Sequence, residues 1–236
     1  MRSTPENIDI IYEDNHLLVV NKRAGDLVQG DQTGDLPLVE IAKEYIARKY
    51  NKPGKVFLGV VHRLDRPTSG VVVFARTSKA LSRLNAMFQN REPQKTYWAV
   101  VEQAPEREQA TLTHHMVRNP KQNKSYAHTK EVPQSKKAVL TYRVLARLER
   151  YTALEVELHT GRHHQIRSQL AAIGSVIKGD LKYGAKRSNT DGSIHLHAHR
   201  LELLHPVKKE PMSFVAVPNT RDAVWAAVIG SGTDRA

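Results

Sequence analysis

The chain has 236 residues, 40% of them hydrophobic, enough for one large domain or two closely packed ones and too apolar for a disordered peptide. Its 36 Lys and Arg outweigh 24 Asp and Glu for a formal charge of +12, which points to a polyanionic partner because phosphate neutralisation drives most sequence-independent nucleic-acid affinity. The lack of cysteine excludes disulfides, iron–sulfur clusters and thiolate zinc sites, and no bilayer-length apolar run, lipidation signal or apolar leader is visible, so a cytoplasmic protein is expected.

In chain order, Ile8 to Tyr12 and Leu17 to Asn21 read as short strands around the polar turn Glu13-Asp14-Asn15-His16. Pro37 to Tyr50 carries Leu38, Ile41, Ala42, Tyr45 and Ile46 at helical spacing, with Asp35 as the start signal. A strand is expected over Val71 to Ala75. Thr77 or Ser78 then caps a helix with Leu81, Leu84 and Phe88 on one face. Lys95 to Glu102 and Ala138 to Leu148 read as strands, and the latter forms a hairpin with Tyr151 to His159 around Glu149-Arg150. The stretch Asn119 to Gln134, rich in Lys, Asn, Gln, Ser and Pro, is expected to be disordered; its Lys121, Lys124 and Lys130 serve either phosphate or solvent. A second helix starts after Thr160-Gly161, buries Ile166, Leu170 and Ile173, and stops at Gly174. Ile194 to Leu204 and Met212 to Val217 are the last strands, and the tail from Thr220 forms a short helix before fraying. Strands and helices mix without strict βαβ alternation, so the class is α+β with a largely antiparallel sheet.

Two constellations carry chemistry. In His62-Arg63-Leu64-Asp65-Arg66-Pro67-Thr68-Ser69-Gly70 a single carboxylate sits among basic groups on a loop that feeds an apolar strand. Positive neighbours favour the carboxylate over the acid, so Asp65 reads as a nucleophile or base; the bland alternative is an ion-paired surface turn. In Gly161-Arg162-His163-His164-Gln165-Ile166-Arg167 the basic groups crowd the first turns of a helix, where its dipole disfavours cations, so an anionic neighbour is expected. Arg162 and Arg167 cannot share a face. One turns outward to RNA and the other inward, where it needs a partner such as Asp65. The alternative is an exposed, decorated helix.

Two strands pose similar choices. Lys95-Thr96-Tyr97-Trp98 offers a cation and two aromatics; Tyr97 either stacks on a base or is a core tyrosine. His195, His197 and His199 alternate on one strand, a pattern compatible with metal ligation or with a histidine-bearing face near RNA. There is no phosphate-loop, dinucleotide or His-Glu-x-x-His pattern.

Together these motifs resemble the RluA-type pseudouridine synthases. The stretch His62 to Gly70 is similar to that family's catalytic-aspartate motif, with Asp65 at the nucleophile position. Lys95-Thr96-Tyr97 is similar to its second motif, with Tyr97 where a tyrosine packs on the target base. Gly161 to Arg167 is similar to its third, with Arg167 where a basic residue pairs with the aspartate. Further likeness runs from Ile11-Tyr12-Glu13-Asp14 and Val20-Asn21-Lys22 through Lys178-Gly179-Asp180 and Tyr183-Gly184 to Leu196-His197-Ala198 and His205-Pro206. Arg23 departs from the family's usual proline. The resemblance implies an eight-stranded mixed sheet in two halves flanked by helices, and a single catalytic domain over residues 1–236 without an N-terminal RNA-binding module.

It further implies isomerisation of uridine in rRNA or tRNA by a monomer, with no metal and no cofactor. Asp65, Tyr97 and Arg167 are then catalytic, and His62, Arg63, Arg66, Lys95, Arg162 and His163 bind RNA. The stacked target base has to be flipped out. Asp65 then attacks the sugar carbon as in retaining glycosidases, abstracts a ribose proton, or adds to the base. Two rivals are a non-catalytic RNA-binding or ribosome-assembly protein on the same scaffold, and a metal-dependent hydrolase built on the three histidines.

Overall fold

The computed structural model describes residues 2–232, and the expected fraying of the tail end lies outside them. The chain forms two compact units, one of residues 1–94 and 198–217 and the other of 95–197 and 218–236.

The first unit begins with β1 (Ile10–Glu13) and β2 (Leu17–Lys22), an antiparallel hairpin. Helix α1 (Leu38–Lys49) and the two-residue β3 (Gly59–Val60) follow, then β4 (Ser69–Ala75) and α2 (Ser78–Gln89). The strand order is β1, β2, β4 and then β10 (Leu196–Leu204); β3 pairs with β4, and β11 (Pro211–Val215) lies antiparallel on β10. Alternation drives this sheet: Leu17, Val19, Val71 and Val73 share a buried face with Leu201 and Phe214, against which α2 sets Ala80, Leu84 and Met87. Thr77 caps α2, its hydroxyl accepting from the Ala80 amide at 3.2 Å. Asp35 does not cap α1. Pro37 precedes that helix without a side-chain cap, and Asp35 is drawn off by Arg2 and Arg66.

The second unit is an antiparallel meander in the order β5 (Gln94–Val101), β9 (Thr152–Leu158), β8 (Lys136–Arg147), β6 (Gln109–Asn119) and β7 (Lys124–His128). It also carries α3 (Gln165–Ala172), a 3₁₀ turn at Leu181–Tyr183 and α4 (Ala223–Gly230). Trp98, Val100 and Ala153 pack with Trp225 and Val228 of α4, whose first turn is capped by Asp222 accepting from the Val224 and Trp225 amides. The α+β, largely antiparallel class is observed, with eleven strands described where eight were expected.

Two local expectations are corrected. The segment 119–134 is not disordered: β6 and β7 form a hairpin whose turn is tied by Asn119 accepting from the Gln122 amide, with Asn123 in the left-handed region at φ 45°. Tyr183, distant in sequence, locks it by accepting from the Ser125 amide at 2.9 Å and donating to the Ser125 carbonyl at 3.1 Å. Helix α3 begins at Gln165, later than expected, because His164 takes φ 53° and interrupts the helical run. Arg162 and His163 therefore precede the helix.

Candidate active site

The first unit builds the Asp65 loop. Leu64 is buried beneath it, and the Thr68 amide donates to the Asp65 carbonyl at 3.0 Å, closing a turn. Gly70 is required where the loop enters β4: its φ is +117°, and a Cβ there would lie 2.3 Å from the Ala198 carbonyl oxygen. His62 belongs to the loop's base, where its Nε2 accepts from the Val73 amide at 3.1 Å and its ring stacks on Phe88 at 4.8 Å. Arg63 is exposed. Arg66 pairs with Asp35, which also holds Arg2 at 2.8 Å.

Lys22 was not singled out from sequence as a site residue. It is completely buried at the end of β2, and its Nζ donates to the carbonyls of Arg23 at 3.0 Å, Arg66 at 3.2 Å and Thr68 at 2.6 Å. Burial pulls this ammonium down to about 7, opposed by the negative charges of Asp26 and Asp65. The available signals were a lysine two places after the apolar run Leu17 to Val20 and its place in the Val20-Asn21-Lys22 likeness.

The second unit holds the other two motif residues. Tyr97 is buried on β5 and pairs in register with Val156 of β9. Lys95, half-buried, reaches within 3.9 Å of the Cβ position that Gly161 leaves empty. Arg167, on α3, is inward-facing as expected of one of the two arginines. Asp180 binds it in bidentate fashion, Nε to Oδ2 at 2.7 Å and Nη2 to Oδ1 at 2.8 Å, with both side chains buried and the guanidinium lying over the Tyr183 ring at 5.1 Å. Asp180, which was not named from sequence, is thus an anionic partner of Arg167.

Arg162 donates through Nε to the Lys137 carbonyl at 3.2 Å, and its amide donates to Gln165. His163 stacks on His164 with centroids 3.8 Å apart and bonds Ser125 and Asn123 through its two nitrogens. Beside them Lys124 lies over the rings of Tyr126 and Tyr183.

The histidines of β10 and the residue before it are spent on structure. His195 is bound by Asn189 at Nδ1 and Asp222 at Nε2 and stacks on Trp225, while His197 meets the same ring edge-on. His199 donates to the Ala216 carbonyl at 3.0 Å. Both His195 nitrogens are occupied, so these three do not form a ligand set, and no group of three metal-ligating side chains occurs among the described residues.

The fold is that of a pseudouridine synthase: human RNA Pseudouridylate Synthase Domain Containing 4 matches with a TM-score of 0.78 at 22% identity, over 94% of this chain and 92% of that one. A second human structure, RNA Pseudouridylate Synthase Domain Containing 1, matches at 0.73 and 24% identity, over 97% and 90%. The chain belongs to the RNA pseudouridylate synthase family, whose model matches residues 16–172 and whose members are isomerases. Among its relatives, the dual-specificity RNA pseudouridine synthase RluA of Haemophilus influenzae is 35% identical over 89% of this chain and 92% of its own length. The tRNA pseudouridine synthase C of Vibrio cholerae is 31% identical over 94% of each. An uncharacterized RNA pseudouridine synthase of Synechocystis, 33% identical over 89% of this chain, is matched over 65% of its length. No helix among the described residues is long and apolar enough to cross a membrane.

Proposed function

We propose that this chain isomerises specific uridines to pseudouridine in structured rRNA or tRNA, acting as a cytoplasmic monomer from a single catalytic domain. Asp65 is the nucleophile, Tyr97 packs on the extruded base, and Arg167 keeps the carboxylate charged and oriented. His62, Arg63, Arg66, Lys95, Arg162 and His163 contact the RNA. One observation carries this reading: the family match over residues 16–172 takes in Asp65, Tyr97 and Arg167 together.

The reaction breaks the bond between ribose and a base nitrogen, turns the uracil and rejoins it through carbon, so substrate and product are isomers. No electron or group donor is consumed. A carboxylate on a braced loop suits this, because it meets the anomeric carbon without reorganising when the base leaves. The names of relatives reach both RNA classes, with tRNA in Vibrio cholerae and the ribosomal large subunit in Xylella fastidiosa.

The test uses rRNA and tRNA purified from a strain lacking the gene. The purified protein is expected to restore pseudouridine at discrete positions mapped by chemical labelling. Asp65→Asn and Asp65→Ala are expected to bind the same RNA and form no product; turnover by either rejects the assignment.

A further inference from the structure

Two guanidiniums of the first unit converge on one carboxylate beside the Asp65 loop. Arg2 donates through Nη1 to Oδ1 of Asp35 at 2.8 Å, and Arg66, the residue after Asp65, donates through Nη2 to Oδ2 of the same side chain. Both arginines are anchored at their backbones. Ser3, next to Arg2, is buried and donates from its amide and hydroxyl to the buried Asp26 at 3.1 and 2.6 Å, and the Arg66 carbonyl accepts from the Gly25 amide at 2.7 Å. Their side chains stay within reach of a ligand, with 56% of Arg2 and 34% of Arg66 exposed.

Asp35 lies on the loop of residues 29–37, which carries Asp31 and Asp35 and no cation in a chain of net charge +12. Residues 29–34 are exposed, and the loop is closed at its base by the Leu38 amide donating to the Leu27 carbonyl at 2.6 Å and the Val39 amide to that of Val28 at 3.3 Å. Asp31 is used inside the loop, accepting from the Thr33 amide at 2.9 Å and from its hydroxyl. Asp35 instead reaches out of it. The hydrogen bonds of Arg2 and then Arg66 hold its carboxyl below the usual carboxylate range.

We propose that Arg2 and Arg66 form a clamp for one phosphate of the RNA backbone, closed in the free protein by the Asp35 carboxylate. To a guanidinium a carboxylate and a phosphate are acceptors of one kind, so two arginines aimed at a single anion can exchange it for another. The exchange costs little because exposed ion pairs are weak, and the incoming phosphate brings a release of counterions that an internal carboxylate does not. Arg2 thereby joins the RNA-binding residues. The inference rests on the reading that the chain acts on RNA.

The experiment measures filter retention of the deletion-strain rRNA and tRNA by wild type, Arg2→Gln, Arg66→Gln and the variant with both arginines replaced, each with and without Asp35→Asn. Circular dichroism checks folding, and pseudouridine formation is followed in parallel. Asp35→Asn alone is expected to lower the dissociation constant about two- to fivefold, the scale of one exposed ion pair. Adding Arg2→Gln is expected to give back part of that gain, and with both arginines replaced Asp35→Asn is expected to bring no comparable gain. An unchanged dissociation constant in Asp35→Asn overturns the clamp. So does an equal gain with both arginines replaced, which would mark a general effect of charge. Should the Arg66 variants fail to fold, Arg2→Gln decides alone, and an undiminished gain from Asp35→Asn in its background overturns the clamp. Absence of product from wild type overturns the proposed reaction, while the binding comparison still decides the clamp.

Discussion

Buried cations divide the work at the residue scale, and each is matched to a different acceptor. Lys22, a compact ammonium, takes three carbonyls; Arg167, a planar fork, takes both oxygens of Asp180. Lys22 sits near 7 in the folded chain, below its unfolded value, so between about pH 7 and 10 the unfolded state binds more protons and stability rises with pH. Urea unfolding of wild type minus Lys22→Met is expected to show this one-proton slope, up to about 1.4 kcal/mol per pH unit. Asp180→Ala removes the bidentate partner of a buried guanidinium and is expected to destabilise by about 3–5 kcal/mol, read from denaturant midpoints. An inward arginine needing an anion was legible in the motif around Arg167. That Asp180, thirteen residues on in a turn without periodicity, is one such anion was not.

The element scale shows where local pattern suffices and where it fails. Thr77 was readable as a cap and caps α2; Thr77→Ala is expected to cost about 1 kcal/mol, seen as a lower melting temperature with the far-ultraviolet spectrum retained. Gly70→Ala should be far more severe. Its backbone is left-handed, and the new carbon would collide with the backbone of β10, which cannot yield as a flexible side chain does. Loss of soluble, folded protein is the expected result, and an ordinary yield would show that β4 and β10 separate at low cost. The hairpin of β6 and β7 escaped sequence reading because its turn is polar and its strands carry lysine, histidine and serine. What orders it is Tyr183, bonded to Ser125 from outside the segment. The late start of α3 has a comparable origin, since His164 holds its left-handed conformation while its Nδ1 bonds the Tyr183 hydroxyl at 3.0 Å.

Across the whole molecule the formal charge of +12 governs the encounter with RNA. The logarithm of the affinity for the deletion-strain RNA is expected to fall linearly with the logarithm of salt concentration, whereas turnover at saturating RNA stays nearly constant, because counterion release acts on binding and a sequestered reaction is screened little. Filter binding and initial rates over a salt series check both. The amino-acid sequence by itself determined the family and most strands and helices, because short motifs, alternation and caps are properties of neighbouring residues. Tertiary structure alone decided that Lys22 is buried against the Asp65 loop, that Asp180 clamps Arg167, and that His195 and its neighbours pack as structure. The physical reason is that burial and hydrogen-bond partnership depend on groups brought together from distant parts of the chain, and a buried charge takes its meaning from those groups.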